Sequence, residues 1–124
     1  MSTWLLREIG TGRVVATRVR RADDWLTRTV GFLPRTSIDA DEGLWFARCR
    51  SIHTLGMRVA LDVLFLDGEG RVVRIASGVR PGRWHVGEHR AAAVAEFAAG
   101  FAAANGIAIG DVLALERAPA ELSG

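Results

Sequence analysis

The chain contains no lysine and only one cysteine, Cys49. A single thiol cannot close an internal disulfide, so no cross-linked framework holds this fold. All 16 basic side chains are arginines, set against 14 acidic ones for a formal net charge of +2. The absence of lysine beside abundant alanine, arginine and glycine matches a GC-rich genome more than a functional demand. Nucleic-acid binding calls for a basic stripe interleaved with aromatics. The one tight basic cluster, Arg18, Arg20 and Arg21, is followed at once by Asp23 and Asp24, so no nucleic-acid partner is expected. No apolar run approaches the roughly 20 residues of a membrane helix, so no membrane span is expected. The first eight residues lack the apolar core of a secretory signal, and a cytoplasmic location is expected.

Metal and cofactor motifs are missing as well. There is no Cys-x-x-Cys and no His-Glu-x-x-His. His85 and His89 have helical ligand spacing, but Gly87 lies between them and Pro81-Gly82 just before. Gly68-x-Gly70 reads as a hairpin turn and lacks the rest of a nucleotide fingerprint. Neither a metal nor a cofactor is expected.

What is present fits one domain spanning residues 1–124. About half the residues are apolar, enough to bury a core at this length. Segments 3–8 and 13–17 flank Ile9-Gly10-Thr11-Gly12 and predict a hairpin. Residues 22–30 predict a short helix packed through Trp25 and Leu26, with Asp23 and Asp24 near its start and Gly31 as its stop. Strands are predicted at 43–47, 51–54 and 59–66. The last is apolar almost without a break, which implies burial on both faces and a central position. A turn at 67–70 returns into 71–76. Residues 91–97 fit strand or helix equally. A helical turn at 101–105 ends at Gly106, and 112–116 forms the last strand. Many short strands, Gly-rich turns and little helix predict a mostly β fold, a small barrel or sandwich with one peripheral helix and a helical turn near the C-terminus.

The densest chemistry lies at 49–67, where Cys49, Ser51, His53, Thr54, Met57 and Arg58 precede an apolar run holding Asp62. The string Cys49-x-Ser51-Ile52-His53-Thr54-x-Gly56-Met57-Arg58 resembles one branch of the domain-of-unknown-function 192 (DUF192) family of small prokaryotic proteins. So do Leu61-Asp62-Val63-x-Phe65-Leu66-Asp67 and the turn into Val72-Val73. Arg80-Pro81-Gly82-Arg83 is similar to the family's Pro-and-Arg loop. The run from Ala93 through Glu96 to Gly100 is similar to its strand exit, and Gly106-Ile107-x-x-Gly110-Asp111 to its closing turn. The similarity covers roughly residues 10 to 117. Ala60 and Gly82 depart from the common proline and tryptophan. The resemblance implies a mostly β domain and brings no activity with it.

Residue by residue, several chemistries compete. Cys49 and His53 on one strand would share a face about 13 Å apart, too far for a nucleophile and its base, so Cys49 is expected to pack. Ser51 and His53 would sit side by side at about 6–7 Å. Asp62, on the next strand, would fall opposite His53 or Leu55 and could orient the imidazole. Set in an apolar run, it needs partners in any case; capping of neighbouring backbone amides is the structural reading. Arg58, Arg80 and Arg83 could converge on a carboxylate or phosphate. The expected ligand-binding set is Ser51, His53, Thr54, Arg58, Arg80 and Arg83. The expected function is a non-enzymatic binding module for a small anionic ligand or a protein partner. The alternative is a small hydrolase or transferase using His53 with Ser51 or Cys49, with Asp62 as a further catalytic candidate.

Overall fold

The computed structural model describes residues 3–22 and 35–119. Of the helix expected over 22–30, all but Ala22 lies outside these residues.

The N-terminal hairpin forms as its glycines require. β1 (Trp4–Glu8) and β2 (Val14–Arg21) pair antiparallel around the 9–12 turn. Glu8 organises that turn from inside: its carboxylate accepts the Gly10 and Thr11 amides at 3.0 and 2.7 Å and the Thr11 hydroxyl at 2.6 Å. These bonds favour the charged form and hold its pKa below the ordinary carboxylate value.

β3 (Glu42–Ala47) runs parallel to β2, and β8 (Ala93–Ala98) pairs antiparallel with β3. β5 (Leu61–Leu66) lies between β8 and β6 (Val72–Val79), while β9 (Leu113–Arg117) pairs with β1. The result is a seven-stranded sheet in the order β6-β5-β8-β3-β2-β1-β9. β4 (Ser51–Ile52) and β7 (Val86–Gly87) form a separate two-stranded ribbon. The ambiguous segment at 91–97 is strand. The helical turn is α1 (Phe101–Ala104).

The expected barrel does not form. The two sheet edges approach at one end only, where Arg71 bridges Val112. There the Val72 amide donates to Asp111 and the Leu113 amide to Gly70, at 2.8 and 2.9 Å. Gly70 has φ +84, and a Cβ there would collide with the Leu113 carbonyl. Only glycine permits this latch. Beyond it the edges are not laddered together, and closure needs the whole register to match. Strand counting from sequence carries no such register.

Two apolar layers sandwich the sheet. One holds Leu6, Val19, Leu64, Leu66, Phe97 and Leu113 beneath Phe101 and Ala102 of α1. The other holds Leu44, Phe46, Leu61, Val63, Phe65 and Val94, with Val86 of the ribbon and Ile52, Met57 and Val59 packed against it. β5 contributes to both layers and all six of its residues are buried. The expectation of cover on both faces therefore holds. Its place is second from an edge, not central, and it begins at Leu61. The predicted strand at 51–54 shrinks to two residues because Thr54 turns to bind another loop.

Candidate functional site

Thr54 is buried, and its polar atoms all point at the 80–83 loop. Its hydroxyl donates to the Arg80 carbonyl at 2.7 Å and accepts the Arg83 amide at 2.8 Å. Its own amide donates to the Arg83 carbonyl, and its carbonyl accepts the amides of Gly82 and Met57. Four hydrogen bonds through one residue thus brace the 53–58 turn against the Arg80-Pro81-Gly82-Arg83 loop, and the Met57 bond closes the turn itself. Gly82 has φ +85, the left-handed conformation that this tight approach uses.

The bracing sets three expected binding residues on one end of the molecule. Arg58, Arg80 and Arg83 are exposed, and none of their guanidinium groups makes a hydrogen bond or ion pair with another described residue. Several other arginines are engaged, although Arg48 and Arg50 are also exposed without a side-chain bond to a described residue. Arg18 binds Asp39 and Asp41, Arg35 binds Glu42, and Arg90 binds Glu88. Those partners hold the Asp41, Glu42 and Glu88 carboxyls below their usual range. The Asp67 carboxylate accepts the Glu69 and Arg71 amides at 2.9 and 3.0 Å. No acidic residue occurs between Glu42 and Asp62 or between Glu69 and Glu88. The two loops that meet at Thr54 therefore carry positive charge alone.

His53 is exposed on the turn, and its Nδ1 accepts the Leu55 amide at 3.2 Å. It does not meet Asp62. That carboxylate points into the opposite layer, where Oδ1 accepts the Gly78 amide and Oδ2 the Ala102 amide, both at 2.9 Å. The first bond secures the irregularity where β5 pairs β6, and the second reaches the first turn of α1. The expected His53–Asp62 coupling is thus replaced by two backbone caps.

Ser51 is exposed on the ribbon opposite Gly87. Ser51 and His85 both lie against Gly87. A Cβ at Gly87 would lie 2.8 Å from His85 Cε1 and 3.1 Å from Ser51 Cβ. Cys49 Sγ donates to the Ser51 carbonyl at 3.1 Å, and the residue packs against the second apolar layer. His85 and His89 flank strand residues, not a helical turn. Among the described residues no three His, Cys, Asp or Glu side chains gather closely enough to hold a metal ion, and no helix is long and apolar enough to cross a membrane.

One residue escaped the sequence reading. Glu96 on β8 is only 6% exposed, flanked in register by Leu44 and Val63. Its carboxyl makes no hydrogen bond or ion pair with a described residue, and burial pushes its pKa up to about 7. The signal was available: it is a lone charge in an apolar run, as Asp62 is.

A family model, DUF192 (Uncharacterized ACR), matches residues 7–115. The fold is similar to that of a protein of unknown function from Novosphingobium aromaticivorans DSM 12444, with 24% identity, a TM-score of 0.76 and coverage of 90% of this chain and 82% of that one. It is also similar to a proposed transcription regulator from Sinorhizobium meliloti 1021, with 24% identity, a TM-score of 0.78 and coverage of 90% and 91%. A third similarity, at 16% identity and TM-score 0.54, covers 94% of this chain but 25% of a Burkholderia pseudomallei K96243 protein described as exported on proposal only. These likenesses show the fold alone. No curated protein matches the sequence.

Proposed function

The chain belongs to the uncharacterised DUF192 family, and on that footing we propose that it is a non-enzymatic binding module for an anion, held by the loops that Thr54 braces. The observation that carries this reading is the set of three exposed arginines, Arg58, Arg80 and Arg83, without acidic partners on two loops joined by four hydrogen bonds. Guanidinium groups bind carboxylate and phosphate through two parallel hydrogen bonds, and loops already in place lose little entropy on binding. His53 Nε2 and the Ser51 hydroxyl extend the donor set, since His53 Nδ1 is already taken by Leu55. A nucleophile with an adjacent base is the arrangement a hydrolase needs. Cys49 and His53 make hydrogen bonds to different backbone groups and none to each other, which favours binding over that alternative.

Thermal unfolding against inorganic phosphate, citrate and acetate tests the reading. An anion that binds only the native state raises the midpoint with concentration. The shift should vanish in Arg58→Ala combined with Arg83→Ala. If no anion stabilises the protein, or the double variant responds as the parent does, the loops are not its binding site.

A further inference from the structure

Trp84 follows Arg83 directly and is 79% exposed, more than any other large apolar side chain described. Trp4 and Trp45 pack against the core. Trp84 is held out from a loop that is itself fixed, since the backbone of Arg83 makes two hydrogen bonds to Thr54, at 2.8 and 2.9 Å. His85, the next residue, lies against Gly87 of the ribbon. An indole kept in water on a braced loop buries little surface within this molecule, yet it offers a large rigid contact area to another. Tryptophan and arginine are the side chains that dominate binding energy at the centres of protein interfaces.

We propose that the Trp84 surface, with Arg58, Arg80 and Arg83 around it, docks an acidic segment of a protein partner that presents an apolar or aromatic side chain to the indole. The inference rests on the anion-binding reading of the same loops and names its occupant. Charge complementarity gives the sign: the loops contribute arginines and no carboxylate. The indole gives the rest, because a bare phosphate or acetate makes no use of an exposed aromatic face. A single-stranded nucleic acid would use it differently, by stacking successive bases along several aromatic platforms. Of the large apolar residues exposed on the described surface, Trp84 is the only aromatic; Ile9 and Ile109 are the others.

Fluorescence anisotropy on the full chain tests this. The probes are a labelled peptide of about a dozen glutamates with one central phenylalanine, the same peptide with alanine at the centre, and a labelled oligothymidylate of equal length. The phenylalanine peptide should bind, Trp84→Ala should weaken it about tenfold or more, and alanine at the peptide centre should weaken binding to the parent but not to Trp84→Ala. Circular dichroism melts confirm that Trp84→Ala stays folded. No binding of the peptide, equal binding by Trp84→Ala, or tighter binding of the oligothymidylate overturns the proposal. If Trp84→Ala is neutral while Arg58→Ala with Arg83→Ala abolishes both the peptide and the phosphate response, the anion reading stands and the docking surface falls. If neither variant matters, both fall.

Discussion

Replacing Glu96 with glutamine should remove a pH-dependent weakness from the fold. The carboxyl projects from β8 between Leu44 and Val63, largely buried and without a side-chain hydrogen bond or ion pair to a described residue. Burial raises its pKa from 4.5 to about 7. The native state therefore holds this proton more tightly than the unfolded chain does. Below pH 4.5 the group is protonated in both states and contributes nothing. As pH rises above 4.5 the unfolded chain ionises first, and folding is progressively disfavoured. Above about 7 the native carboxyl must ionise too, and the penalty levels off. At 1.36 kcal/mol for each pH unit of separation, the full effect is about 3 kcal/mol, a large fraction of a typical domain's stability.

The assay is urea unfolding of the parent and Glu96→Gln at several pH values from about 5 to 8.5, the window over which the linkage acts. Carboxylates whose pKa values are lowered, such as Asp41, Glu42 and Glu88, stay ionised across that window, so their linkage does not interfere. The glutamine amide adds a pH-independent offset, and the slope is the readout. The parent should lose about 3 kcal/mol relative to the variant between the ends of the range. Parallel stability curves would refute the assignment of Glu96 as a buried, uncompensated carboxyl.

Asp62→Ala leaves the exposed Gly78 amide and the buried Ala102 amide without their acceptor and should destabilise by about 1–3 kcal/mol, the cost of one orphaned buried group; a denaturant melt indistinguishable from the parent's would contradict the capping role. Leu64→Ala and Phe65→Ala remove fully buried side chains from opposite faces of β5 and should each lose about 2–5 kcal/mol, read the same way. Thr54→Val keeps the shape but strips the hydroxyl from the Arg80 carbonyl and the Arg83 amide. It should lower stability by about 1–3 kcal/mol and weaken the anion response, which calorimetric titration with phosphate would show; unchanged affinity would mean that the loops need no brace.

What the sequence revealed depended on how local the cause was. The N-terminal hairpin and the buried strand β5 were legible because glycine turns and apolar runs act within a few residues. The parallel pairing of β2 with β3 was not, since nothing in either strand names its partner. The open edge between β6 and β9 was hidden for the same reason: it depends on one latch at Gly70, made with residues about forty positions away. At the site, the arginines were visible as residues, but the bonds that join their two loops were not. Thr54 looked like one donor among several. Its role emerges only when its bonds to Arg80 and Arg83, 26 and 29 positions on, are seen.

Asp62 and Glu96 show the limit most directly. Each is a single carboxylate in an apolar strand, and the strands are neighbours in the sheet. Their opposite fates follow from facing. Asp62 points to the layer where the β6 irregularity and the start of α1 each present a free amide, and it binds both. Those amides come from positions 16 and 40 residues away. Glu96 pairs in register with Val63, one step along from Asp62, and so points to the other layer, among Leu44, Val63 and Val94. A one-residue difference in register separates a carboxylate that stabilises the fold from one that opposes it above neutral pH. Sequence alone assigns both the same need for a partner; only the layer each one faces decides whether that need is met.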